Sequence, residues 1–269
     1  MKELVTQLQG ALAGSYTIER ELGGGGKSQV FLATETAGGQ RVIMKVLPPG
    51  VAAGTSVERF GHEIQLAASL QHPHIVPVLA AGSAGGLLYY TMPMVKGESL
   101  RARLIHQGEL SVRQAMEILR DVADALAFAH GRGIIHCDIN PDNILLSDER
   151  ALVTNFGVAR GLNGAGGTPA YLAPEQATAD PQVDHRADIY ALGAVGYEIL
   201  AGRPPFLGKS PEAVLAAQVN QMPDPLQNVR SSVPQALASQ IMRCLEKRAS
   251  ARWQTAEEIL HQLRAAGNH

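Results

Sequence analysis

The spacing of apolar residues changes once along this chain, and that change limits the folds open to it. Up to about residue 93, short apolar runs alternate with glycine turns at strand spacing; beyond residue 98 they recur at helical spacing. Tyr16–Glu21, Val30–Thr34 and Arg41–Val46 are predicted strands, joined by turns at Gly23–Gly26 and Gly38–Gly39. Thr55–Leu70 is a predicted helix with Val57, Phe60, Ile64, Ala67 and Leu70 on one face, and Val76–Ala81 and Leu87–Met92 are two further strands. In the second half, Ser111 caps a helix over Val112–His130, Gln114 completes a capping box, and Ala115, Ile118, Leu119, Val122 and Leu126 form its buried stripe. An apolar helix over Asp188–Ala201 is stopped by Gly202 and Pro204. Two helices follow near Pro234–Glu246 and Ala256–Ala265, the last with Thr255 and Glu258 as its capping box. The expected class is α+β and bilobal: an extension at 1–14, a β-rich lobe at 15–93 with one main helix, and an α-helical lobe at 94–267, with a short connection near 93–98.

The length of 269 residues suits two lobes sharing a cleft. Hydrophobic residues at 45% and charged residues at 18% exclude a disordered chain. A net charge of −2 gives no reason to expect nucleic acid or an anionic membrane as partner. The two cysteines, Cys137 and Cys244, make no disulfide framework, which points to a reducing cytoplasm. Residues 1–14 carry Lys2 alone as a basic residue and lack the apolar core of a secretion signal. Glu198 interrupts the longest apolar run, Ile189–Ala201, so no membrane segment is expected within this chain; an anchor beyond residue 269 stays open.

Chemistry gathers in a few short segments. Leu22-Gly23-Gly24-Gly25-Gly26-Lys27-Ser28-Gln29-Val30 lies between two predicted strands, where glycines let backbone N–H groups approach phosphate oxygens. By itself this is equally a plain hairpin turn. Lys45, on a strand shortly after, and Glu63, 18 residues further on in the predicted helix, narrow the choice. A strand lysine can neutralise phosphate charge while a helix glutamate holds it in place. His136-Cys137-Asp138-Ile139-Asn140-Pro141-Asp142-Asn143 then offers Asp138 as an acceptor for a hydroxyl proton and Asn143 as an oxygen ligand for a metal. Asn155-Phe156-Gly157 follows, then Gly167-Thr168-Pro169-Ala170-Tyr171-Leu172-Ala173-Pro174-Glu175.

In this order and spacing, these motifs make the stretch from about Tyr16 to Leu263 resemble the protein kinases, specifically the bacterial Hanks-type serine/threonine kinases. Asp188-Ile189-Tyr190-Ala191-Leu192-Gly193 resembles the start of that family's central helix, whose Asp supports the catalytic loop, and Arg252 resembles the arginine that pairs with Glu175. The resemblance implies a bilobal protein-kinase fold with ATP in the cleft and phosphoryl transfer from Mg·ATP to protein Ser or Thr. It implies that Leu22, Gly23, Gly25 and Val30 cover the nucleotide. Met92, Met94 and Val95 meet the adenine at the hinge, and Leu145 lies beneath it. It further implies that Lys45 contacts phosphate, Glu63 orients Lys45, Asp138 is the base, and Asn143 and Asn155 are the metal ligands. His136 and Phe156 read as packing residues.

Four positions depart from the family pattern. Asn155 stands where the family has its main magnesium-binding Asp, and an amide carries no charge for a hard cation. Asn140 stands where the family has a Lys that stabilises the transferred phosphoryl group; losing one such contact costs about 10²–10³ in rate. Cys137 replaces the Arg that pairs with an activation-loop phosphate, and between Asn155 and Glu175 only Thr168 and Tyr171 carry hydroxyls, so the usual phosphorylation switch is not expected. Ser28 replaces the third loop glycine. The expectation is therefore a serine/threonine kinase of weak activity with ATP as ligand and weakened Mg²⁺ binding. The alternative is a pseudokinase acting as a nucleotide-binding or scaffolding module; the protein substrate or partner is not legible. A small-molecule kinase of related fold is disfavoured because Thr168–Glu175 resembles a peptide-groove loop.

Overall fold

The computed structural model describes residues 2–25, 28–47, 57–148, 150–157 and 167–266. Gly26 and Lys27 of the glycine turn and the predicted helix start at Thr55 lie outside them. Helix α1 (Lys2–Leu12) leads into strands β1 (Tyr16–Gly25), β2 (Ser28–Glu35) and β3 (Arg41–Val46), helix α2 (Val57–Ala68), and strands β4 (Ala80–Ala84) and β5 (Leu87–Pro93). These strands form one antiparallel sheet in the order β1-β2-β3-β5-β4. Strand alternation sorts the side chains of β3 between two faces. Val42, Met44 and Val46 turn to one side, where Leu8 and Leu12 of α1 cover them together with Phe31 and Leu87. Ile43 and Lys45 turn to the other side, toward the second lobe.

That lobe holds β6 (Glu98–Ser99), α3 (Leu100–Gln107), α4 (Val112–His130), β7 (Ile144–Ser147), β8 (Arg150–Val153) and α5 (Pro174–Ala177). It continues with α6 (Arg186–Ala201), α7 (Pro211–Asn220), α8 (Leu226–Val229), α9 (Gln235–Cys244) and α10 (Ala256–Ala266). Ser111 and Gln114 close the predicted capping box of α4. At α10 the box is only half formed: Thr255 accepts from the Glu258 amide, but the Glu258 carboxylate accepts from the Gln254 amide instead. Every residue of α6 from Ala187 to Leu200 is buried, as suits a helix apolar all round. Gly193 lets α9 approach so closely that a Cβ there would lie 2.4 Å from Cys244 Cβ. Left-handed Gly202, at φ 70°, ends the helix. Glu198 is buried and held by Arg101 at 2.7 Å and by the Tyr171 hydroxyl.

The predicted strand over Val76–Ala81 needs correction. The sheet strand begins at Ala80, while Ile75 and Val76 leave the first lobe and pair with Val153 of β8. Val76 and Val78 are buried in the core cluster that also takes in residues of the helical lobe. Among the described residues, no helix is long and apolar enough to cross a membrane.

Candidate active site

A cavity of about 830 Å³ opens between the lobes, within the range of small-molecule sites. Its apolar end is lined by Leu22, Val30, Ile43, Met92, Val95 and Leu145. Its polar end carries Lys45, Asp138, Asn140, Asn143, Asn155 and Thr168. The first sheet positions Leu22, Val30, Ile43, Met92 and Lys45; β7 carries Leu145; and the segment from His136 to Asn143, the end of β8 and the turn at Pro169 bring in Asp138, Asn140, Asn143, Asn155 and Thr168. Gly23, at φ 136°, also lines the cavity, in a conformation that favours glycine. At Gly24 a Cβ would come within 3.0 Å of the Ser28 carbonyl, so the hairpin packs tightly. Gly25, expected over the nucleotide, pairs with Ser28 across the hairpin and does not line the cavity; Gly24 does.

Asp188 anchors the loop at His136. Its carboxylate accepts from the backbone N–H of His136 at 2.8 Å and of Cys137 at 2.7 Å, and lies 2.8 Å from His130 Nε2. Burial opposes its ionised form, but the hydrogen bond and charge of His130 outweigh it and keep the pKa below the ordinary carboxylate value. Cys137 takes a left-handed backbone, φ 64°, as the chain turns. His136 is fully buried and lies edge-on to Phe156 at 4.7 Å; its Nδ1 accepts from the Asp138 amide, which leaves Nε2 to donate to the Thr154 carbonyl at 2.7 Å. Both rings are packing residues.

Three donors among the described residues hold the Asp138 carboxylate. Oδ1 accepts from Asn140 Nδ2 at 2.9 Å and from the Thr168 amide at 3.1 Å; Oδ2 accepts from Asn143 Nδ2 at 3.2 Å. Asn140 also caps the short turn at Pro141, accepting from the Asp142 amide at 2.9 Å. The Thr168 segment is fixed from outside by Gln218, fully buried on α7, whose Nε2 donates to the Pro169 carbonyl at 3.1 Å. Beyond it, Arg252 grips Glu175 with two parallel bonds of 2.6 and 2.7 Å.

Two expected contacts are not formed. Among the described residues there is no Lys45–Glu63 ion pair. Lys45 donates to Asn155 Oδ1 at 2.9 Å, and burial lowers its pKa to about 8 against the attraction of Asp138 and Asp142. The Glu63 backbone packs on Gly157, where a Cβ would lie 2.8 Å from the Glu63 carbonyl. Met94 is 50% exposed and does not line the cavity; its neighbours Met92 and Val95 do. Tyr90 is not legible as a site residue from its sequence pattern, yet its hydroxyl donates to Asn155 Oδ1 at 2.9 Å; burial holds its phenol well above the ordinary range.

The expected metal ligands do not fit a metal site. Asn155 Nδ2 donates to Asn143 Oδ1 at 2.6 Å, so the two amides bond to each other. Mg²⁺ prefers charged oxygens in open octahedral positions. Here one amide oxygen accepts two donors and the other already accepts its neighbour's N–H. An adenosine nucleotide, by contrast, suits a cavity with an apolar end, a lysine and a glycine hairpin.

Comparison with known proteins adds to this geometry. The protein kinase domain family matches residues 16–263. The serine/threonine-protein kinase PknB of Mycolicibacterium smegmatis is 40% identical over 264 residues, covering 92% of this chain and 42% of its own. The serine/threonine-protein kinase pkn2 of Myxococcus xanthus is 35% identical over 273 residues, covering 95% of this chain and 33% of its own. A probable serine/threonine-protein kinase of Clostridium acetobutylicum is 33% identical over 268 residues, covering 96% and 41%. The chain thus spans less than half the length of these relatives. With a family match running from β1 into the last helix, and a third or more of its residues shared with bacterial enzymes of one kind, the chain belongs to the protein kinase family, in its bacterial Hanks-type serine/threonine branch.

Proposed function

We propose that this chain binds ATP in the interlobe cleft and transfers its γ-phosphoryl group, slowly, to a serine or threonine hydroxyl of a protein. The observation that carries the reading is the Asp138 carboxylate, fixed by three donors in the same cavity as Lys45 and beside Thr168. ATP supplies the transferred group. Val30, Met92, Val95 and Leu145 enclose its base, and Lys45 offers positive charge to its phosphates. Asp138 holds the substrate hydroxyl and takes its proton. Asn140 orients Asp138 but brings no positive charge to the transferred group, which lowers the rate by about 10²–10³ relative to a lysine there.

The test is transfer of labelled phosphate from ATP to the chain itself and to a generic basic protein. Wild type is expected to label weakly, Asp138→Asn not at all, and Asn140→Lys with Asn155→Asp more strongly, by about 10² or more. Label unchanged by Asp138→Asn removes Asp138 from the mechanism. A second reading, a pseudokinase that binds nucleotide or a partner without turnover, is favoured by the Asn143–Asn155 amide pair. It predicts label on the double variant alone.

A further inference from the structure

Lys45 and Tyr90 stand directly opposite each other across β3 and β5, so both side chains leave the sheet on one face. They converge on a single atom, Asn155 Oδ1, each at 2.9 Å. An ammonium has only donors to offer, and this phenol donates its proton. The amide oxygen of Asn155 must therefore face them, which turns its Nδ2 toward Asn143 Oδ1 at 2.6 Å. The far end fixes the same orientation. Asn143 Nδ2 lies 2.8 Å from the Asp138 carbonyl and 3.2 Å from Asp138 Oδ2, and both are acceptors. Every donor in this run points one way, from the sheet through two amides to the Asp138 loop, so neither amide can flip without setting like against like. A carboxylate at position 155 would put oxygen against oxygen at Asn143, a repulsion that a cation relieves. The amide replaces that repulsion with a hydrogen bond.

We propose that nucleotide occupies this cleft without a divalent cation held by the protein, so that Mg²⁺ adds nothing to its affinity, and that Tyr90 completes the device. Lys45 alone would leave one lone pair of Asn155 Oδ1 open toward a metal; Tyr90 fills it. The inference rests on the nucleotide reading above and specifies how that site is closed to its usual metal.

The experiment is calorimetric titration of the full chain with ATP, in EDTA and in excess Mg²⁺, for wild type, Asn155→Asp and Tyr90→Phe, with a thermal melt to confirm that each variant folds. For wild type, Mg²⁺ is expected to leave Kd within about threefold. For Asn155→Asp it is expected to tighten Kd by about tenfold or more, and Tyr90→Phe should fall between them. Tightening of wild type by about tenfold overturns the inference while leaving the nucleotide reading intact. Wild type silent in both buffers overturns the nucleotide reading and takes the inference with it. Asn155→Asp that binds equally well in EDTA and Mg²⁺ removes the amide pair as the cause and also counts against the inference.

Discussion

Lys247 holds its charge in a place that resists it. Its Nζ donates to the Gln218 carbonyl at 2.6 Å and the Tyr190 hydroxyl at 3.2 Å, and sits 4.2 Å from the centre of the Phe206 ring. Burial first, then the neighbouring Arg252, lowers its pKa to about 8. The unfolded chain keeps this proton to higher pH, so between pH 8 and the ordinary lysine value it binds more protons than the folded chain, and stability rises with pH across that window. Denaturant unfolding of wild type and Lys247→Met should show the wild type's relative stability greater at about pH 9.5 than at pH 7; a constant difference would place the lysine in ordinary solvent. Other residues differ in how legible they were. Lys45, Asp138, Asn143 and Asn155 sit in short patterned segments whose order is informative, and all four line the cavity. Glu63 was equally legible, yet its contact with Lys45 is absent, because spacing gives proximity in the chain and not where a flexible ammonium is committed. Tyr90 was invisible because a tyrosine in an apolar strand looks like core; only its register opposite Lys45 gives it a role.

The long elements followed from periodicity and caps, and the errors came where an apolar run served a neighbour rather than its own element. Helix α6 is legible to within two residues because a largely apolar run ending in glycine has one reading. Val76 to Val78 mislead because a valine-rich segment looks the same whether it pairs in its own sheet or is buried elsewhere in the core; Leu79 already returns to the sheet, its amide donating to the Thr91 carbonyl. Polar Gln218 gave no hint of being fully buried as the brace of the Pro169 turn. The close seat of α6 on α9 supplies a test at this scale. Alanine at a helical glycine ordinarily gains about 1 kcal/mol. At Gly193 the new Cβ would meet Cys244 Cβ at 2.4 Å and the Ile241 carbonyl at 3.3 Å. Overpacking of this kind costs about 1–3 kcal/mol, so Gly193→Ala should lower stability in urea unfolding. A stabilised variant would mean that the two helices can part freely.

Across the whole molecule the chain at residues 93–98 joins the lobes, and a second, backbone tie is the pairing of the His74–Val76 segment with Val153. The bilobal plan was legible from the one change of periodicity; the second tie was not, because it joins backbone to backbone over a long sequence separation. Nor was α1, whose Leu8 is fully buried and Leu12 95% buried on the outer face of the sheet. That helix bears on a practical choice, where to cut. The kinase family match starts at residue 16, and a protein begun there would keep every motif discussed above. It would also lose two buried leucines, about 1.5–3 kcal/mol each, and bare the apolar face formed by Phe31, Val42, Met44 and Leu87. Such a truncation should melt earlier, bind a hydrophobic dye and aggregate at concentrations where the longer chain stays in solution; an unchanged melt would make α1 dispensable. The unit that folds and the unit that kinship measures begin at different residues.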